Sequence, residues 1–337
     1  MKRIGTVVIG LGGIALISLF ALNCKKKAGG PKAGAPRAVS PNGIAYPTGF
    51  KDWKVIGLSH REDNKTLRYI LGNDVAVEAA RSGKTNPWPD GAILGKVVWK
   101  QKTNDKWARA IGPGKLVHAE FMVKDAKKFA STGGWGYARW LGNEQKVFIK
   151  ALPGAKKFTG KLCMNCHLPV KDNDYVFTRP ASFPGSQKGV GPVPNGITIP
   201  MNYKDMRPLA VSRRLDNKTL RYILGNDIAV EAARSGKTNP WPKGSILAKM
   251  VWKEKSHPKW AKAIEPAKFV HAEFMIKDAK KYASTGGWGY ARWKGLGQKP
   301  YAKRFNKEKK FSGKECMTCH LPVKGRDYVF THAVNLP

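Results

Sequence analysis

Between positions 117 and 123 every second residue is apolar. Val117, Ala119, Phe121 and Val123 make one face of a predicted strand, and His118, Glu120 and Met122 make the other. The segment 92–100, AILGKVVWK, reads as a second strand, in which Lys96 shares a face with Leu94 and Val98. TLRYIL at 66–71 is β-branched and aromatic enough for a third, and WGYARW at 135–140 for a fourth. Asn73 or Asp74 offers a cap for a short helix, AVEAARSG, that Gly83 stops. TNPWPDG is a turn, and a short helix is expected over 125–130. The prediction is α+β and sheet-rich: a small antiparallel sheet with a few helices packed on it.

The pattern occurs twice. DNKTLRYILGNDVAVEAARSGKTNPWP starts at Asp63 and recurs from Asp216 with Ile228 in place of Val75 as its one change. The offset of 153 residues then holds for Lys96 and Lys249, Glu120 and Glu273, Trp140 and Trp293, Cys163 and Cys316. Two copies, each long enough for its own core, make a tandem pair and not a solenoid. The expected division is a first domain at 42–179, a Pro- and Gly-rich linker at 180–194, and a second domain at 195–337. The halves differ at Trp53/Met206, His60/Arg213, Glu62/Leu215 and Asp90/Lys243.

Lys2 and Arg3, an apolar stretch over 4–22 and a single Cys24 resemble a lipoprotein-type export signal, with Cys24 as the lipidation site. An uncleaved N-terminal anchor is the alternative. Both put the rest of the chain outside the cytoplasm, on the periplasmic side and attached to the membrane. Residues 25–41, dominated by Lys, Gly, Ala and Pro, read as a flexible tether. Lys and Arg number 61 against 23 Asp and Glu, a formal charge of +38. Such a surplus suits an acidic redox partner protein or an anionic membrane surface. Export argues against nucleic acid.

Cys163-Met-Asn-Cys166-His167 and Cys316-Met-Thr-Cys319-His320 are CxxCH motifs. Two Cys three apart can form thioethers with the vinyl groups of one haem, and the adjacent His then serves as proximal iron ligand. A redox CxxC or half a zinc site is the competing reading, and duplication plus export speak against both. The expected cofactors are therefore two covalently attached c-type haems, with iron on His167 and His320. No Met lies between His167 and Arg179 or after His320, so no downstream Met ligates the iron within either domain. The sixth position is either open or taken from upstream, with His118 and His271 as candidates.

In each half an aromatic-Lys-Asp step (Phe50-Lys51-Asp52, Tyr203-Lys204-Asp205) precedes DGAILGK or KGSILAK, then AEFMVKD or AEFMIKD, then a late CxxCH followed by DYVFT. In this order the repeats resemble the cytochrome P-460 family, with the cytochrome c-prime-beta group as relatives. The resemblance implies small sheet-rich periplasmic haem proteins that oxidise hydroxylamine at a five-coordinate haem which also binds NO. It implies that Lys96 and Lys249 occupy the position of a lysine cross-linked to the porphyrin, and Glu120 and Glu273 that of a proton-relaying distal carboxylate. The bland readings are a Lys that snorkels to water and a Glu on a solvated face. Trp135, Tyr137, Trp140 and their counterparts are candidates for haem-pocket walls, or else core. Arg139 and Arg292 are candidates to pair with propionates.

Three functions follow as expectations: oxidation of hydroxylamine or handling of related small nitrogen oxides, non-catalytic electron transfer or NO binding, and a dihaem peroxidase. The last is disfavoured, because here the CxxCH motifs come late in near-identical domains.

Overall fold

The computed structural model describes residues 39–337 except Ala151, Leu152, Ala155, Lys157, Arg304, Phe305, Glu308 and Asn335. The export segment, Cys24 and nearly all of the expected tether lie outside the described residues.

In the first repeat, β1 (Lys54–Arg61) and β2 (Thr66–Gly72) form a hairpin, followed by helix α1 (Asp74–Ser82). Asn73 caps that helix by accepting from the Ala76 amide, and Gly83 ends it with φ of 75°. A long hairpin follows, β3 (Ile93–Asn104) with β4 (Trp107–Lys124), and then β5 (Trp135–Leu141), the two-residue β6 (Lys146–Val147) and helix α2 (Lys161–His167). The second repeat gives β7 (Arg207–Arg214), β8 (Thr219–Gly225), α3 (Asp227–Arg234), β9 (Ile246–His257), β10 (Trp260–Lys277), β11 (Trp288–Lys294), β12 (Lys299–Pro300) and α4 (Lys314–His320). The expected strands are present, and the chain is sheet-rich with few helices and two repeated domains. The helix expected over 125–130 is not: those residues form turns that run into a 3-10 turn at Ala130–Thr132. Gly133 and Gly134, both at positive φ, reverse the chain there before a helix can propagate.

The two repeats share one sheet. β4 pairs with β3 along its length and with β5 over its C-terminal half, while Ala110 and Ile111 near its start pair with Arg214 and Arg213 of β7. Ala263 and Ile264 of β10 pair reciprocally with Arg61 and His60 of β1. The order β1-β2-β3-β4-β7-β8-β9-β10 thus returns to β1, and eight strands close into a ring to which each repeat contributes four. Closure pairs β1 with β10 and β4 with β7, and leaves the two-residue strands β6 and β12 as sheet edges.

Strand alternation sorts the side chains. Leu67, Tyr69, Val97, Trp99, Ala119 and Phe121 join their second-repeat counterparts in one shared core. Phe183, Val190 and the buried Val193 of the connecting stretch 180–194 pack against it. Trp140 and Trp293 also belong to this core, the second of the two roles open to them, and Cys316 packs against the same cluster. The other face carries two smaller cores, one per repeat. The first holds Ile70, Val77, Leu94, Trp135 and Tyr137 with Cys163 and Met164 against it. The second holds Ile223, Val230, Leu247, Trp288 and Tyr290 with Cys316 and Met317.

Equivalent residues meet where the repeats join. The rings of Tyr69 and Tyr222 lie 5.9 Å apart. His60 and Arg213, at corresponding positions, also touch. Arg213 donates to His60 Nδ1 at 2.7 Å and to Glu62 at 2.9 Å, and it grips Glu254 through two bonds of 2.8 Å. His60 Nε2 donates to Gln101 at 2.7 Å. Burial lowers the His60 pKa, which keeps the ring in the neutral form that this bonding requires. Identical residues here would set like against like. The divergence of His60 from Arg213, and of Gln101 from Glu254, gives each a complementary partner. Arg213→Met strands a buried Glu254 carboxylate and is expected to cost about 3–5 kcal/mol in urea unfolding. The double variant Arg213→Met/Glu254→Met should recover most of that loss.

Candidate functional site

The register of three adjacent strands sets a row of charge. Lys96 on β3 lies opposite Glu120 on β4, and Glu120 lies opposite Arg139 on β5. All three point away from the shared core, on the face that carries α2. Lys96 Nζ is 2.5 Å from Glu120 Oε2, and Arg139 pairs with Glu120 Oε1. His118 Nε2, two residues along the same strand face, is 3.2 Å from that oxygen. In the second repeat Lys249 pairs with Glu273, with Arg292 at 2.5 Å and His271 at 3.1 Å from Glu273 Oε1.

Burial alone would push the Glu120 carboxyl up. The Lys96 ammonium, the His118 contact and the Arg139 guanidinium outweigh it and hold the group well below the usual carboxylate range. Lys249, His271 and Arg292 do the same for Glu273. Burial lowers His118 and His271 despite the carboxylate beside each. It also lowers the Lys249 ammonium, with Glu273 opposing. The Glu side chains keep 15% and 17% of their exposure and the Lys side chains 35%. This face is neither dry core nor solvated exterior, so the reading of Glu120 as an outer-face residue fails.

Helix α2 brings the CxxCH motif beneath this row. Gly160 precedes it at φ of 90°, a conformation that disfavours any side chain. Cys163 and Cys166, three apart on a helix, share a face. None of Cys163, Cys166, Cys316 and Cys319 is in a disulfide. Burial raises the Cys163 thiol to about 11 and the Cys316 thiol to about 12. Lys96, Glu120 and Arg139 all act electrostatically on Cys163 and His167, so row and motif form one site.

His167 Nδ1 donates to the Tyr175 carbonyl at 2.6 Å, and His320 does the same to Tyr328. The bond fixes the tautomer and leaves Nε2 as the lone-pair donor. Burial, then the Lys96 charge, lowers His167 to about 4, so the ring is neutral near pH 7. The accepting carbonyl sits in an unusual turn. Asp174 and Tyr175 have φ of 48° and 61°, two consecutive non-glycine residues in left-handed backbone. Asp174 is pinned to hold it. Its carboxylate accepts from Lys124 Nζ at 2.7 and 2.8 Å and from the Trp88 amide at 2.8 Å, and its carbonyl accepts from Trp135 Nε1 at 2.8 Å. Gly133 packs so closely that a Cβ there would lie 2.4 Å from the Tyr175 ring. Lys277 and Asp327 repeat the clamp.

Three contributors escaped the sequence reading. The Lys124–Asp174 clamp joins residues fifty apart, and nothing local signals it. The Tyr175 carbonyl is backbone. Arg68 was legible, because strand alternation in TLRYIL places it with Thr66 and Ile70, opposite Leu67 and Tyr69. It is largely buried, with its Nε unpartnered and its pKa lowered by burial to about 10.

The residues fit a haem. Each motif offers two unpaired thiols and a neutral, oriented imidazole. Buried polar atoms on the same face, Tyr137 Oη, Arg68 Nε and Arg139 Nε, have no hydrogen-bond partner. Among the described residues no group of three or more His, Cys, Asp or Glu is placed to hold a metal ion directly. Fold and site together define a haem cytochrome. A family model described as Cytochrome P460 matches residues 47–178 and 200–331. The chain therefore belongs to the cytochrome P460 family, as a tandem of two such domains. No curated protein matches it significantly.

Lys124→Met leaves Asp174 buried without its cation and is expected to cost about 3–5 kcal/mol, read by denaturant unfolding. A carboxyl held low in the folded state adds stability that is complete above its unfolded pKa and lost as pH falls. Unfolding midpoints should therefore drop below about pH 4.3, the unfolded glutamate value. Glu120→Gln/Glu273→Gln should flatten that acid limb.

Proposed function

We propose that this chain is an exported dihaem c-type cytochrome that oxidises hydroxylamine or handles related small nitrogen oxides at an open haem site. The observation that carries the reading is the Lys96–Glu120–Arg139 row beside CxxCH, repeated as Lys249–Glu273–Arg292. Cys163 and Cys166 would hold one haem covalently with His167 on its iron, and Cys316, Cys319 and His320 the other. Bound there, haem supplies one-electron chemistry and a coordination position for a small nitrogen ligand.

Oxidising hydroxylamine releases protons as well as electrons. Glu120 and Glu273, ionised at neutral pH, would be the bases that accept them. His118 and His271, neutral and on the same carboxylates, offer the next acceptors. Lys96 and Lys249 would form the cross-link found in the family's hydroxylamine-oxidising members. Electrons leave to an acidic redox partner, for which the surplus of 61 basic over 23 acidic residues provides the docking charge. Lipid on Cys24, or an uncleaved anchor, would hold the protein at the periplasmic face of a membrane.

One observation favours a second reading. Each Lys already has an ion-paired carboxylate and needs no cross-link to be satisfied. An uncrosslinked protein would be an electron-transfer or NO-binding cytochrome.

The ferrous visible spectrum separates the two. A strongly red-shifted Soret band that Lys96→Arg/Lys249→Arg returns to the ordinary c-type position is the expected result. An ordinary band in the native protein assigns it to electron transfer or NO binding. If Glu120 is the base, Glu120→Gln/Glu273→Gln lowers hydroxylamine oxidation by about 10²–10⁴-fold with haem retained.

A further inference from the structure

We propose that the proximal side of each haem site is completed by the other repeat, with Trp260 and Trp107 as its positioning residues. The inference rests on the reading of His167 and His320 as haem ligands.

Phe177 follows the Tyr175 turn, and its ring lies 5.2 Å from the His167 ring. Tyr137 lies against the same imidazole at 5.3 Å. Tyr137 belongs to a strand of the first repeat and is fixed by it. Phe177 is held from outside that repeat. The tip of the β9–β10 hairpin reaches across from the second repeat and sets Trp260 at 5.5 Å from the Phe177 ring. From the same tip, His257 Nε2 donates to the Phe177 carbonyl at 3.0 Å and its ring lies 5.6 Å from that of Phe177. Arg61 of the first repeat lies over Trp260, with its guanidinium carbon 3.4 Å from the ring centroid. Asp63 in turn holds Arg61. Trp260 is therefore seated between two groups of the first repeat, although it belongs to the second.

The arrangement is reciprocal. His320 and Phe330 lie 5.2 Å apart, Phe330 and Trp107 5.4 Å, and Arg214 caps Trp107 at 3.7 Å. Asn104 Nδ2 donates to the Phe330 carbonyl at 3.3 Å, where the second repeat uses His257. Each histidine is thus buttressed through one phenylalanine by a tryptophan more than eighty residues away in sequence, from the other half of the duplication.

The orientation of a ligating imidazole and the groups around it tune the iron it binds. A phenylalanine released from its outer support lets the imidazole rotate. Each haem's potential is then a property of both repeats, and neither repeat alone carries a complete proximal wall.

The test uses the full-length protein in two single-haem backgrounds. Cys316→Ala/Cys319→Ala keeps haem on the first repeat, and Cys163→Ala/Cys166→Ala keeps it on the second. With haem on the first repeat, Trp260→Ala is expected to change the reduced-to-oxidised ratio at fixed potential about tenfold, a shift of about 59 mV. Trp107→Ala should leave it unmoved, and Trp260→Phe should restore most of the native value. With haem on the second repeat the roles reverse. Loss of the first-repeat haem on Trp260→Ala, with the second-repeat haem retained on Trp260→Ala in the other background, supports the proposal equally. A shift that follows the tryptophan of the haem's own repeat, or no shift from either, overturns it. Absence of haem from both motifs in the native protein sinks this inference and the functional reading together. Haem present without hydroxylamine oxidation sinks only the activity, and the crossed pattern remains to be read.

Discussion

The pairing register of the central hairpin is the constraint on which everything else depends. With Lys96 opposite Glu120, the alternate residues Val97, Ala119 and Phe121 fall into the shared core, and every charge of the row falls on the opposite face. A slip of one residue would drive Lys96 and Glu120 into hydrocarbon and expose the core. The same register that stabilises the barrel therefore builds the site. Neither can be altered without the other, which explains how one strand can carry both a core face and a buried carboxylate.

A buried carboxylate is tolerated only when its charge is answered. Glu120 has Lys96, Arg139 and His118 around it, from three adjacent strands, and its low pKa is the consequence. Beneath the row the same logic recurs in the Lys124–Asp174 pair, whose task is geometric. It holds two strained residues so that one carbonyl faces one imidazole nitrogen. Charge pairing thus serves chemistry in the first case and position in the second.

Duplication changed what the surface between the halves could do. Two identical chains meeting about a two-fold axis must set each residue near the axis against its own copy. Within one chain the copies can differ. His60 against Arg213, and Gln101 against Glu254, exploit that freedom, while Arg81–Asp205 and Arg234–Asp52 keep the symmetric exchange. The hairpin tips at Trp107 and Trp260 cross the same boundary, so joining the repeats and finishing the two sites are one structural event.

The sequence by itself determined four strands of each repeat, because period-two alternation around Phe121 and the β-branched run at 66–71 are local signals, but it did not mark β1 or β7, the strands through which the ring closes. It determined the capped helix after Asn73, the duplication, the CxxCH motifs and the family. Alternation also fixed that Lys96, His118 and Glu120 avoid the core. It went wrong over 125–130, where polar composition mimics a helix but two left-handed glycines end the chain's advance. It left Trp140 between pocket wall and core, because that residue lies in an aromatic strand whose two faces cannot be ranked without knowing what packs on each. Only the tertiary structure decided that the two sheets close into a single ring and that Asp174 is held by Lys124. Only it showed that Phe177 leans on Trp260. Those are contacts between residues dozens to more than a hundred positions apart, and local pattern carries no information about which distant partner will satisfy a buried group.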